Sequence, residues 1–384
     1  MSEPPVPDAE DPQLQPTAPD ETLAAPAEPV SPALAADDEK PPMALGQRLR
    51  QPRTILSIAI PLLLLVLIAR FALNIDVGEV VAGIAEANPW LLLAALGVFY
   101  LGFPLRGLRW QMLLKSTGQP ITVKDSTEIL YLSWLVNCLV PAKLGDVYRA
   151  WLLKINSQAS LSRTFGTVFI ERILDLFVIA VLGLLAGFWS FRSGLPPEIQ
   201  FVGALGLVVV VVLAVLLLTL RNFGRRIIIA LPFPDRVLEL YDRFEEGVFS
   251  ALTFRQLPPL VVLTTFIWAT EGLRLYFVVQ ALGFDDVSLG LSGAVFVALI
   301  GSLLTAVPFS PAGLGVVDAG MGAVLVLAYG IPATEATTIV VVDRVISVFS
   351  IIVFGSILYV FSGKRKGEGL SPVNGVTPPR PLTS

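Results

Sequence analysis

Six long apolar runs constrain this chain more than any other feature of its sequence. A helix needs about 20 residues to cross the roughly 30 Å hydrocarbon layer of a bilayer. The runs are Thr54–Leu73, Pro89–Leu105, Thr164–Trp189, Phe201–Leu220, Pro258–Leu282 and Thr337–Phe361. Only 15% of the 384 residues are charged, whereas a water-soluble chain carries about 25%. We therefore predict an all-α polytopic membrane protein with six full crossings.

Two further apolar stretches, Ser126–Leu153 and Val287–Tyr329, are interrupted by proline and glycine. The interrupting residues are Pro141 and Gly145 in the first stretch and Pro308, Pro311, Gly313 and Gly315 in the second. Backbone groups freed at such breaks cannot stay unsatisfied in hydrocarbon, so the breaks must line a wet or protein-walled cavity. We predict two re-entrant helical hairpins with broken tips.

Basic residues beside the spans indicate the orientation of the chain. They cluster before the first span, between the second and third spans, after the fourth and after the last. The opposite loops, at 74–88, 190–200 and 283–286, contain Arg192 against six acidic residues. Loops rich in Lys and Arg tend to stay in the cytoplasm, so we predict a multi-pass protein of the cytoplasmic membrane with both termini inside.

The segments outside the spans have distinct compositions. Residues 1–47 contain eleven prolines and ten acidic residues against Lys40, which is typical of a disordered acidic tail. Residues 235–254 have the apolar spacing of an amphipathic helix at the membrane interface, or of a structural strut between two halves. Residues 364–384 are expected to form a short cytoplasmic tail with no room for a further soluble domain.

An ordered series of residues occurs twice along the chain. The first copy has Gly107-Leu-Arg109, Gly118, Pro141, Glu171-Arg172 and Gly183, and the second has Gly272-Leu-Arg274, Gly283, Pro308, Asp343-Arg344 and Gly355. We infer a duplication, with one membrane repeat at 48–195 and the other at 196–363, each of three spanning helices plus one broken hairpin. An odd number of crossings inverts the second copy, and inverted repeats build transporters with a binding site near the midplane.

The composition excludes several classes of enzyme. One cysteine and no histidine exclude a disulfide framework, a cysteine-cluster zinc site, Ser-His or Cys-His catalysis, and imidazole-held haem or copper. The chain also lacks the Gly-x-x-x-x-Gly-Lys-Ser/Thr loop that cradles nucleotide phosphates. We therefore predict no catalytic residue, no metal, no cofactor and no nucleic-acid partner.

Charged residues within the apolar stretches are the candidate binding residues, because a charge at the centre of a lone helix costs about 3 kcal/mol on insertion. The candidates are Arg106, Arg109, Asn137, Lys143, Asp146, Arg149, Glu171, Arg172, Asp175, Glu271, Arg274, Asp318, Asp343 and Arg344. Two interpretations stay open: buried bridges that fix helix packing, or a polar cavity that meets an anionic head group. The bases near the first hairpin could equally contact ordinary lipid phosphates without specificity.

These residues and their order resemble a known family. The carrying motifs are Asn137-Cys-Leu-Val-Pro-Ala-Lys-Leu-Gly-Asp146, Glu171-Arg172-Ile-Leu-Asp175, Pro308-Phe-Ser-Pro-Ala-Gly-Leu-Gly315 with Asp318, and Asp343-Arg344. Over about residues 50–365 the chain resembles the transmembrane region of lysylphosphatidylglycerol synthases and their stand-alone flippase-like relatives. The resemblance implies that this region, in the bifunctional relatives, moves aminoacylated lipid between leaflets, whereas a separate soluble domain makes that lipid.

The sequence thus predicts a transporter that moves an amphiphile with an anionic or phosphate-bearing head group by alternating access. Its partners would be a membrane phospholipid or another anionic lipid and, in addition, a separately encoded lipid-modifying enzyme. Two alternatives come from other classes: a membrane-embedded enzyme that modifies lipid, with Asp146 and Glu171 as acid and base, and a non-catalytic scaffold for a separate synthase.

Overall fold

The computed structural model describes residues 77–140, 143–191, 235–251, 255–285, 287–305 and 311–373, with isolated positions between 204 and 219. The helices are α1 Val77–Glu86, α2 Pro89–Ser116, α3 Val123–Leu139, α4 Leu144–Asn156, α5 Leu161–Ser190, α6 Asp235–Ala251, α7 Leu257–Leu282, α8 Leu291–Leu304, α9 Val316–Tyr329, α10 Ala333–Arg344 and α11 Ser350–Phe361. No strand occurs in these ranges. The prediction of an all-helical protein is confirmed.

Several predicted features lie outside the described residues. They are the span Thr54–Leu73, nearly all of Phe201–Leu220, the tail at 1–47, the part of the predicted tail at 364–384 that follows residue 373, and Pro141 and Pro308. The side chain of Pro311 lies outside them as well.

Among the residues that the structure describes, three helical stretches are long and apolar enough to cross a membrane: α2, α7 and the continuous run Ala333–Phe361. Helix α5 has 30 residues, which gives a length of about 45 Å at 1.5 Å per residue. It also contains Glu171, Arg172 and Asp175 within its apolar sequence, so its polar side chains need partners inside the protein.

Local sequence explains where the crossing helices begin and end. The Asn88 side chain accepts hydrogen bonds from the backbone N–H groups of Trp90 and Leu91, which caps α2. Pro258 stands in the first turn of α7, where its missing N–H costs nothing. Gly283 ends α7 in the left-handed conformation, with φ of 59°. These signals frame α2 and α7, which pack against each other.

Both interrupted stretches are divided into separate helices. Helix α3 ends at Leu139 and α4 begins at Leu144, while α8 and α9 are separated by a short 3₁₀ turn at Pro311–Gly313. Within the described ranges, Lys143 and Ala312 are the non-glycine residues with positive φ, at 52° each, and they lie one in each interruption. Strained backbone of this kind clusters at functional sites.

The segment expected to be a plain loop at 74–88 differs from that expectation, because residues 77–86 form helix α1. Its Gly83 faces the ring of Phe284 and the side chain of Thr338. The backbone N–H of Asn88 then donates to the carbonyl of Ala281 at 2.7 Å. Helix α1 is therefore stabilised by packing against the end of α7 and against α10. Its own short sequence does not indicate these contacts.

Helix α6 crosses α5 at a close approach of the two backbones. Gly166 of α5 lies against the backbone of Phe244 and Val248, and Gly247 lies against the backbone of Arg163. The Val248 face joins a small core with Leu113 and Ile170. Within residues 235–251, the apolar side of α6 around Val248 therefore packs against α2, α5 and α7.

Candidate functional site

A first cluster of buried charges joins α2, α4 and α5. It contains Arg109, Arg149 and Arg172 together with Asp146, Glu171 and Asp175. Arg109 lies 2.5 Å from an Asp175 oxygen and 3.1 Å from a Glu171 oxygen. Arg149 donates to both oxygens of Glu171 at 3.2 Å. With Arg109 only 1% exposed, these contacts hold charges that could not remain unpaired in an apolar interior.

Arg172 belongs to the same cluster but is more accessible. It donates to the two oxygens of Asp146 at 2.7 and 3.1 Å. Its side chain nevertheless remains 33% exposed, which separates it from the sealed pairs of Arg109 and Arg149. The bidentate contact is the strong geometry for a guanidinium and a carboxylate, so Asp146 fixes Arg172 without enclosing it.

A second cluster links the two predicted halves of the chain. Its members are Arg106, Glu271, Arg274 and Asp343. Arg106 from α2 lies 2.5 Å from Glu271 of α7. Glu271 also contacts Arg274 one turn later, and Arg274 donates to Asp343 at 2.8 and 3.2 Å. An α2 arginine is thus neutralised by an α7 glutamate.

The third element is a tip pair formed by Asp318 and Arg344. Arg344 Nε lies 2.6 Å from an Asp318 oxygen, and the other Asp318 oxygen accepts the backbone N–H of Gly315 at 2.8 Å. A further Arg344 nitrogen meets the sulfur of Met321 at 3.7 Å. Because a thioether is a weak acceptor, this guanidinium keeps donors that could serve a ligand.

Two kinds of ion pair each occur once in the first half of the sequence and once in the second. Arg109 contacts Glu171, and Arg274, which follows the same Gly-Leu, contacts Asp343. Similarly, Arg172 pairs with Asp146 just after the first interruption. Arg344 pairs with Asp318 just after the second. Corresponding arginines of the two sequence series, Arg109 with Arg274 and Arg172 with Arg344, therefore each pair with a carboxylate.

A cavity with about 1010 Å³ of empty space, counted to its open mouth, lies between the two interruptions. Its charged lining consists of Lys143, Arg172, Glu271, Arg274, Asp343 and Arg344. Ala312 and Gly313 line it from the second interruption. Four cations against two carboxylates on the wall favour an anionic group inside. Arg106, Arg109, Asp146, Arg149, Glu171, Asp175 and Asp318 are not part of this wall; they stand behind it as partners.

The tip of the first interruption is held by Asn137, which the sequence placed among the binding residues. Its side-chain oxygen accepts the backbone N–H of Gly145 at 2.8 Å. A Cβ on Gly145 would collide with the carbonyl oxygen of Ser133, so only glycine allows α4 to approach α3 this closely. Asn137 also lines the cavity, where it joins the backbone break to the binding space.

Aromatic residues that no sequence pattern had indicated complete the cavity. Arg106 lies 4.8 Å from the ring centre of Trp134 and 6.0 Å from that of Trp268. The indole N–H of Trp268 donates to Asp175 at 3.0 Å, and both tryptophans line the cavity. A tryptophan in an apolar run is typical of any membrane helix, so no sequence signal distinguished these two.

A π-helical turn at Val345–Phe349 directly follows Arg344. Such turns are rare and frequently lie at functional sites. Ser347 and Val348 of this turn line the cavity beside Arg344. The wider turn presents the residues after Arg344 to the cavity, within an otherwise regular run from Ala333 to Phe361. In the described ranges, no group of three Cys, Asp or Glu side chains is arranged to hold a metal ion.

The chain matches the profile of the lysylphosphatidylglycerol synthase TM region over residues 54–355. A UPF0104 membrane protein of Methanocaldococcus jannaschii is 38% identical over 226 residues, which cover 58% of this chain and 92% of that protein. A UPF0104 membrane protein of Methanothermobacter thermautotrophicus is 27% identical over 79% of this chain and 95% of its own length. Glycosyltransferase AglD of Haloferax volcanii is 26% identical over 71% of this chain, but the match spans only 49% of AglD.

Proposed function

Since the chain belongs to the lysylphosphatidylglycerol synthase TM region family, we propose that this membrane protein moves an amphiphile with an anionic head group between leaflets. The observation that carries the proposal is the cavity lined by Lys143, Arg172, Arg274 and Arg344 between two helix interruptions. Mobile lipid head groups need such a polar path through a layer that otherwise rejects charge.

The proposal includes two inverted repeats that alternate access to the cavity. The matching ion pairs, Arg172 with Asp146 and Arg344 with Asp318, support a duplicated architecture. In inverted-repeat transporters, the site lies between the copies and is lined by discontinuous helices. We place the protein in the cytoplasmic membrane with both termini inside, on the distribution of its basic loops.

In this mechanism the buried first cluster fixes the helices, and the cavity arginines meet the head group. Arg109 and Arg149 are sealed by Glu171 and Asp175, so they act as fixed supports. Arg172 keeps a partly exposed side chain and Arg344 keeps donors that only a thioether meets, which suits the transient binding of phosphate oxygens. A bound anion would compete with Asp146 and Asp318 for these arginines. It would thereby change the conformation of the two helix interruptions.

Purified protein in liposomes with fluorophore-tagged phosphatidylglycerol tests the function. A membrane-impermeant quencher should bleach the label of the inner leaflet only when protein is present, because translocation delivers that label to the outside. Arg172→Ala and Arg344→Ala should each abolish this extra bleaching. Arg243→Ala is the matched control, since Arg243 pairs with Glu239 on the surface of α6, away from the cavity. Normal movement in both cavity variants would overturn the site.

The name of glycosyltransferase AglD raises an enzymatic alternative, although the match covers only half of that protein. The same liposomes distinguish the two functions when their lipids are analysed by mass spectrometry. Movement of label without a new lipid species supports translocation, whereas a new species supports lipid modification. Neither change would support a scaffold for a separately encoded enzyme.

A further inference from the structure

The charges around the cavity balance within each group of contacts. Three arginines meet three carboxylates in the first cluster, two meet two in the second, and the tip pair has one of each. Lys143 is the additional cation on the cavity wall, and within the described ranges no carboxylate forms an ion pair with it. The site as a whole therefore carries one uncompensated positive charge.

The position of Lys143 differs between the two sequence copies. The five residues Pro141-Ala-Lys-Leu-Gly145 of the first interruption match Pro311-Ala-Gly-Leu-Gly315 of the second, in a local register three residues beyond the one that pairs Pro141 with Pro308. Lys143 has φ of 52° and its counterpart Gly313 has φ of 72°. Glycine adopts this left-handed conformation freely, but a lysine is strained there. The first copy therefore has a lysine, whose ammonium group faces no ion-pair partner in the described ranges, at a position where glycine would adopt the backbone conformation more easily.

We propose that Lys143 makes the cavity selective for amphiphiles whose head group carries a single net negative charge, of the phosphodiester monoanion class. This inference rests on the proposed function and names the ligand that the site accepts. One such charge beside Lys143 leaves the enclosed site neutral, the state in which buried charge costs least. Val317 and Met321, on the apolar part of the wall, suit the chain that follows the phosphate.

Other head groups fit this balance less well. A phosphomonoester carries between one and two negative charges near neutral pH, so it leaves net negative charge beside Glu271 and Asp343. A zwitterion brings a cation close to Arg172 and Arg344, which already face the cavity. Both arrangements place like charges together in a poorly solvated space, and like charges there repel.

Tryptophan fluorescence provides a direct binding readout, because Trp134 and Trp268 line the cavity. The full chain in non-ionic detergent at neutral pH is titrated with dihexanoyl phosphatidylglycerol, dihexanoyl phosphatidic acid, dihexanoyl phosphatidylcholine, and glycerophosphoglycerol without acyl chains. We expect the tightest binding for phosphatidylglycerol. Tight binding of glycerophosphoglycerol alone would identify a water-soluble phosphodiester as the ligand instead of a lipid and would overturn the inference.

Variants at one position test the role of the lysine. Lys143→Gln should weaken phosphatidylglycerol binding about tenfold, as expected for loss of a charge-assisted contact, and should erase its advantage over phosphatidylcholine. Lys143→Arg should keep that advantage, and Lys115→Gln, an exposed lysine at the end of α2, should change nothing. Lys143→Gly should raise the melting temperature while losing selectivity, which separates a ligand role from a structural one.

Two further results would overturn the inference. One is an unchanged affinity order in Lys143→Gln, and the other is tighter binding of phosphatidic acid than of phosphatidylglycerol by the unaltered protein. Failure of the proposed function gives a different pattern. In that event, the unaltered protein would bind phosphatidylglycerol selectively but move no label in liposomes.

Discussion

At the scale of single residues, the structure separates charges that support the protein from charges that can meet a ligand. Arg109 and Arg149 are each 1% exposed and are enclosed by Glu171 and its neighbours. Arg172 is 33% exposed and Arg344 11%. Of the two interpretations that the sequence left open, packing bridges suit the first pair and a polar cavity suits the second.

Glu171→Gln should destabilise the protein strongly, because it leaves both Arg109 and Arg149 short of a buried counter-charge. Breaking a buried ion pair costs about 3–5 kcal/mol, so we expect a clear fall in melting temperature in detergent. Glu239→Gln removes a carboxylate from an exposed pair on α6 and should stay within about 0.5 kcal/mol of the unaltered protein. Equal melting temperatures for the two variants would contradict the supporting role of Glu171.

At the scale of elements, short interruptions determine where the helices can approach one another. The break between α3 and α4 depends on the Asn137 cap and on the bare backbone of Gly145. The second break depends on positive φ at Gly313 and Gly315 and on the Asp318 cap. Both cavity edges are therefore built from backbone geometry that few residue types tolerate.

Gly145→Ala should disrupt the first interruption, because the added Cβ would meet the Ser133 carbonyl. Overpacking of this kind typically costs about 1–3 kcal/mol, and we expect loss of lipid binding as α4 is displaced. Gly97→Ala in α2 is the matched control, since an added methyl group there would have open space around it to 4 Å. That variant should be neutral or slightly stabilising; similar melting curves would refute the close approach at Gly145.

The segment after α11 is attached to the start of α3 through Asp125. Lys364 Nζ lies 2.9 Å from this carboxylate, and the Ser371 backbone N–H donates to it at 2.6 Å. Burial alone would raise the pKa of Asp125, but these donors outweigh burial and hold its pKa below the ordinary value. A carboxyl with a lowered pKa stabilises the folded state above its unfolded pKa, and that stability is lost as pH falls through the folded value.

Asp125→Asn should therefore release the segment around Ser371 at neutral pH, which limited proteolysis would detect as faster cleavage. In the unaltered protein, cleavage should stay constant from pH 5 to pH 8 and rise only in more acidic solution, below about pH 4. Lys366→Ala serves as control, because its side chain is 60% exposed. Cleavage that rises between pH 8 and pH 5 would show that another group holds the segment.

At the scale of the whole molecule, the sequence predicted the type and position of the long helices better than it predicted the contacts between them. Apolar runs located α5 and α7 closely, because bilayer thickness fixes their length. They located the start of α2 at Pro89, but the helix continues beyond the predicted end at Leu105 to Ser116. Helix α1 was missed since tertiary packing, which a short sequence does not report, stabilises it. The charged candidates were identifiable from the cost of burying them, but their division among three groups of contacts depends on distances that no linear pattern encodes.

The single cysteine of the chain, Cys138, lines the cavity. Its rate of reaction with a thiol reagent therefore reports how accessible the cavity is. A small impermeant thiol reagent should label it slowly, because it is 6% exposed. Dihexanoyl phosphatidylglycerol should slow the labelling further by filling the cavity. Cys138→Ala must abolish the signal; labelling that is fast and indifferent to lipid would contradict an enclosed, ligand-sized space.

The contact between Arg106 and Glu271 has a consequence for biosynthesis. Among the clustered charges, the arginines of α2, α4 and α5 outnumber the carboxylates of those helices by one, and the carboxylates of α7, α9 and α10 outnumber their arginines by one. When only α2, α4 and α5 have been synthesised, the Arg106 guanidinium thus has no counter-ion among the clustered carboxylates. Arg106 therefore gains its buried counter-ion only after α7 has been translated and has packed against α2.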